Sequence, residues 1–203
     1  MKRIPSILLI ICLTLGLCSC AQAEQDNNAE MYIEPAQLTE EEKNIAELFG
    51  SNTSQTVFDF VLNDDVHSIQ VNVYRLSDGK WESEIGGGGQ VFTDTSGRIA
   101  LQFGKLAEGI RIAIQSENGS DITSYEREAA DEFANMGYAN SILPDKVKVS
   151  YGEEIPLAIQ VITSKNEIIS YAVDYFKNPE EYEKFDYEGV FVVTICFSQQ
   201  PLT

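Results

Sequence analysis

The chain has 203 residues, 43% of them hydrophobic and 23% charged, with 14 basic against 32 acidic side chains. That apolar share belongs to a globular protein rather than to a disordered or polytopic membrane chain. A net charge of −18 speaks against nucleic acid, whose phosphates need Lys and Arg to displace counterions, and a single histidine, His67, excludes any site built on two.

Lys2 and Arg3 open a basic start, followed by an apolar run from Ile7 to Leu17. The pattern is that of a secretory signal, residues 1–19, too short for a membrane span. Its end, Leu17-Cys18-Ser19-Cys20, resembles the lipobox of bacterial lipoproteins. The resemblance implies cleavage before Cys20 and a lipid on its thiol; two acyl chains make a stable anchor where one is marginal. The alternative is an ordinary signal cut after Ala21 or Ala23. The expected place is therefore the outer face of a bacterial cell membrane, with membrane contact through the lipid alone. Removing residues 1–19 makes the remaining chain more acidic still, which repels it from anionic lipid surfaces.

Residues 20–37 read as a polar tether, and residues 38–203 as one domain. Within the domain, Thr39 and Glu42 form a capping box, Ile45, Leu48 and Phe49 share a face, and Gly50 supplies a stop; the spacing predicts a helix. A second helix is predicted from Thr123, capped by Glu126, to Gly137, on the stripe Tyr125, Ala129, Phe133 and Met136. A third, of two turns at most, starts at Asn178-Pro179-Glu180-Glu181 and buries Tyr182 and Phe185.

The rest alternates with period two. Phe58-Phe60-Leu62, Ile69-Val71-Val73, Trp81-Ser83-Ile85, Ile99-Leu101-Phe103 and Ile110-Ile112-Ile114 each mark a strand, as do Val147-Val149-Tyr151, Leu157-Ile159-Val161 and Phe191-Val193-Ile195-Phe197. Turn signals lie between them, among them Asp78-Gly79 and Asn118-Gly119. So many half-apolar strands predict a mostly β chain, a two-layer antiparallel β-sandwich with two or three short helices.

Three segments carry a resemblance. Leu38-Thr39-Glu40-Glu41-Glu42, Tyr74 through Trp81, and Glu153-Glu154-Ile155-Pro156-Leu157 resemble β-rich lipoproteins of Gram-positive Firmicutes that have no assigned activity. The resemblance implies location and fold; its motifs are turns and core strands, so no active site is carried over.

Candidate chemistry is thin. Gly86-Gly87-Gly88-Gly89 lacks the Lys-Ser/Thr and the helix of a phosphate loop, and reads as a bulge or mobile loop. Ser77-Asp78-Gly79-Lys80 matches SxxK in letters, but Asp78-Gly79 is a hairpin turn, so Ser and Lys are not one helical turn apart. His67 stands near Asp64 and Asp65 without a nucleophile elbow. Asn63-Asp64-Asp65, Asp94 and Glu180-Glu181-Glu183 offer oxygens to calcium, yet none has the spaced loop the ion uses. Cys196 lies in an apolar run and reads as packing. Tyr74, Tyr171 and Tyr175 offer sugar-stacking faces at most. No catalytic residue, metal ligand or cofactor is assigned. Two function classes follow: a non-catalytic binding or scaffolding module for a protein or an oligosaccharide, and an extracytoplasmic hydrolase of the glycosidase kind using a carboxylate pair.

Overall fold

Alternation of apolar and polar residues dictates strands with one wet face, and the computed structural model stacks them in two antiparallel sheets. It describes residues 30–48, 54–127, 131–169 and 171–201. Cys18, Cys20 and the leader lie outside the described residues.

The strands in chain order are β1 (Tyr32–Pro35), β2 (Ser54–Val61), β3 (Ser68–Ser77), β4 (Lys80–Val91), β5 (Ser96–Phe103), β6 (Gly109–Ser116), β7 (Ser120–Glu126), β8 (Gly137–Ile142), β9 (Val147–Lys148), β10 (Ile155–Thr163) and β11 (Gly189–Ser198). Sheet A runs β7-β6-β5-β2-β1-β9 and sheet B runs β4-β3-β11-β10-β8. The core lies between them. Phe58, Phe60, Ile99, Leu101, Ile112 and Ile114 are buried on sheet A, and Ile69, Val71, Val73, Val193, Ile195 and Phe197 on sheet B. Phe60 bridges the layers, 5.8 Å from the ring of Phe197. Among the described residues both sheets lie between Tyr32 and Ser198 and every buried core side chain between Ile33 and Phe197, so residues 30–201 carry a complete hydrophobic core.

Among the described residues two helices flank the sandwich, α1 (Glu40–Glu47) and α2 (Glu180–Glu183). The capping box of α1 is formed: Thr39 N donates to Glu42 Oε2 at 2.7 Å and Glu42 N to Thr39 Oγ1 at 3.2 Å. Yet α1 buries none of its residues. The chain from Tyr171 to Tyr187, with α2 and the short turn Val173–Lys177, covers the outer face of sheet B; Val173 and Tyr182 are buried there. Trp81 joins this cap, donating from Nε1 to Phe176 O at 2.8 Å.

Three expectations need correction. The tether expected over residues 20–37 ends early, because Tyr32–Pro35 is a strand between β2 and β9 with Ile33 fully buried. The helix expected from Thr123 to Gly137 is instead the end of β7 and a single turn at Asp131–Phe133, followed by β8. Thr123 and Tyr125 alternate with exposed neighbours as one face of a strand does, and pairing with β6 decides it. Phe185 in the third helical segment is only half-buried, whereas Tyr182 is buried as expected.

Candidate functional site: a groove on the open face of sheet A

The outward residues of sheet A follow from its alternation. On β5, Ile99, Leu101 and Phe103 point inward, so Arg98, Ala100 and Gln102 point out. On β6, the same logic turns Arg111, Ala113 and Gln115 outward. Register sets them side by side. Val57 faces Ala100, Ala100 faces Ala113, and Ala113 faces Ile122, so one apolar row crosses four strands. Asp59, Arg98 and Gln115 form the row on one side. Gln102 and Arg111 stand on the other.

Long polar side chains around a floor of alanines leave a groove of about 400 Å³, within the range of small-molecule sites. Helix α1 walls one end with Ile45 and Ala46, together with Leu38 just before its cap. A charge network holds the helix there. Arg98 donates from Nε to Asp59 Oδ1 at 2.7 Å and from Nη1 to Glu42 Oε1 at 2.6 Å. The Thr39 amide and then the Arg98 guanidinium pull the Glu42 carboxyl down to about 2. Arg111 has no such acid: among the described residues nothing pairs with it, and it is exposed. Apolar surface stays uncovered at both ends, with Ile45 50% and Ile122 56% exposed.

A second polar cluster lies on the outer face of sheet B. Glu154 Oε1 accepts from Asn72 Nδ2 at 2.8 Å and from Tyr74 OH at 2.9 Å, and Glu154 Oε2 accepts from Thr194 Oγ1. Burial first, and then this carboxylate, pushes the Tyr74 hydroxyl up to about 12. Thr194 is fully buried and Asn72 nearly so, so Glu154 serves to satisfy donors that burial would otherwise strand. Cys196 lies on the same face, half-buried and free, with its thiol pushed up by burial and then by Glu154.

The residues singled out in the sequence do not converge. Ser77 and Lys80 face each other across a two-residue hairpin turn whose Asp78 and Gly79 both take positive φ, so the SxxK letters are a turn. The four glycines lie within β4, which shifts register against β3 between Val71 and Val73, as a bulge requires. The His67 amide donates to Ser198 O and the side chain is exposed. Asn63 caps its own turn, accepting from Asp65 N at 3.2 Å, and Asp94 accepts from Asn118 N at 3.2 Å. Glu181 pairs with Lys184. Among the described residues no three of His, Cys, Asp and Glu gather as a metal site. Tyr171 and Tyr175 pack at 4.5 Å from each other and against Tyr182, as part of the cap. A glycosidase pair needs one carboxyl held protonated. Among the described residues, every carboxyl whose titration the fold moves (Glu42, Asp94 and Glu188) moves down.

The groove itself escaped the sequence reading. Ala100 and Ala113 are unremarkable until pairing sets them opposite each other; the only advance signal was that two neighbouring strands both alternate large apolar with Arg, Ala and Gln.

Comparison with protein families adds one finding. The YgaN domain model matches residues 32–197, which begin at β1 and end within β11. The chain belongs to the YgaN domain family. The matched span runs from β1 into β11 and takes in the whole groove. No curated protein and no solved structure matches the chain.

Proposed function

We propose that this protein is a non-catalytic binding module, held at the outer face of a bacterial cell membrane by a lipid on Cys20, that takes its ligand on the open face of sheet A. The observation that carries the binding role is the groove: an apolar row left uncovered, walled by a helix that buries none of its own residues, with an arginine at its side that has no partner among the described residues. The other broad sheet face is already occupied, since the Tyr171–Tyr187 segment covers much of sheet B. The anchor rests on the Leu17-Cys18-Ser19-Cys20 junction.

Two measurements test the reading. Cys20→Ala releases the protein from the membrane fraction or leaves its precursor uncut; unchanged detergent partitioning removes the anchor. A photoreactive residue in place of Gln102, in the groove, gives an adduct in growing cells that the same residue in place of the exposed Glu167 does not. Equal labelling at the two positions removes the binding role.

A further inference from the structure

The groove has a shape that selects its occupant, and this inference rests on the binding role just proposed. We propose that the groove seats a single-chain fatty carboxylate, its alkyl chain along the row from Val57 to Ile122 and its carboxylate on Arg111.

Width decides first. The polar rows stand two residues to either side of the apolar row, about 6.6 Å each way along the strands, and their long side chains narrow the trough between them. One extended chain fits that space, whereas a helix about 10 Å across does not sink into it. Direction decides next. The row runs across β2, β5, β6 and β7, a span of about 14 Å at ordinary strand spacing. A peptide laid across strands meets no strand edge, and its N–H and C=O groups would rest unpaired on valine and alanine. An alkyl chain has no such groups. It gains by covering Ile122 at one end and Ile45 of α1 at the other, both half-exposed without it.

Charge decides the head group. A chain with 32 acidic side chains repels anions over most of its surface. Arg98 is committed to Asp59 and Glu42. Arg111 is the cation that stays uncommitted among the described residues lining the groove, and Gln102 stands beside it as a further donor. Guanidinium and carboxylate match as a two-pronged pair.

The test uses residues 30–203, which carry both sheets, and titrates decanoate and the neutral decyl maltoside by calorimetry. Decanoate is expected to bind at one site, at least about tenfold more tightly than decyl maltoside, with Arg111→Gln removing that advantage. Ala113→Trp, which fills the floor, is expected to abolish binding of both. Thermal melts establish that each variant is folded, and Arg111→Gln, a surface change, serves if Ala113→Trp is not. Equal affinity for both amphiphiles, or wild-type affinity in Arg111→Gln, overturns the assigned head group. No binding of either, or a dimer that Ala113→Trp dissociates while decanoate stays silent, overturns the acyl ligand. The Gln102 adduct in cells separates the two levels. An adduct with decanoate silent overturns the ligand class alone; no adduct and no decanoate binding overturns the binding role as well.

Discussion

Gln160 shows how one side chain joins the two layers. It is fully buried on the inner face of sheet B, where a hydrophobic residue would be expected. Its Oε1 accepts from Leu106 N at 2.7 Å and its Nε2 donates to Gly104 O at 2.7 Å and to Asn140 Oδ1 at 2.8 Å. The β5–β6 loop therefore gets from sheet B the partners that its own strands do not supply. Gln160→Leu keeps the volume and strands the Leu106 amide, so a loss of about 1–3 kcal/mol is expected in urea unfolding. An unchanged midpoint would mean that the loop rehydrates. Cys196 gives a second prediction at this scale. With its thiol half-buried and its pKa raised, a thiol reagent reacts slowly with the native protein and quickly once it is denatured. Fast native labelling would show a thiol that is more open than the fold makes it.

At the scale of elements, β1 and α1 are the two pieces whose placement matters most. Four residues long, β1 lies between β2 and β9, and removing it exposes Ile33's neighbours and leaves β9 without a partner strand. A chain starting at Ala36 is therefore expected to melt well below one starting at Glu30, and equal melting temperatures would restore the tether reading for Tyr32–Pro35. Helix α1 depends on Glu42. Its carboxyl titrates at about 2 in the folded protein against 4.5 ordinarily, so its contribution is present above pH 4.5 and is lost as pH falls toward 2. Cα chemical shifts of residues 40–47 should drift toward coil values across that window, and Glu42→Gln should show the looser helix already at neutral pH. Strands such as β6 were legible in the sequence because their inward residues are large and strictly alternating, as in Ile110-Ile112-Ile114. On β10 the legible row Leu157-Ile159-Val161 is the outer one, since Gln160 lies on the inner face. Residues 120–126 and 137–142 escaped because Ser-Asp-Ile-Thr-Ser-Tyr-Glu and Gly-Tyr-Ala-Asn-Ser-Ile present little apolar surface; both are edge strands, held by the ladder of one neighbour. Capping chemistry, by contrast, is local, and Thr39 with Glu42 was readable without any tertiary information. The groove depends on register between strands, which local pattern does not set.

For the whole molecule, the net charge of −18 sets a background that no single pair removes. Several acids are exposed and several cations are already paired, so like charges repel across the surface. Added salt screens that repulsion, since the screening length falls to about 8 Å at physiological ionic strength. The melting temperature is therefore expected to rise with sodium chloride; a fall would mean that the Arg98 network outweighs the general repulsion.

The place of β11 bears on when the chain becomes a protein at all. It follows every other strand in sequence, yet it occupies the middle of sheet B, paired with β3 on one side and β10 on the other. Ser68 Oγ, at the start of β3, donates to the carbonyl of Gln200, 132 positions later. During synthesis from the N-terminus, β3 and β4 can meet early as a hairpin, while β10 waits with one side empty. Until the last strand arrives, β3 and β10 each keep a long apolar edge open. The wait is long because pairing so remote in sequence is slow. The acidic surface therefore serves the nascent chain before it serves the finished one: it keeps separate molecules apart during the interval in which sheet B has no centre.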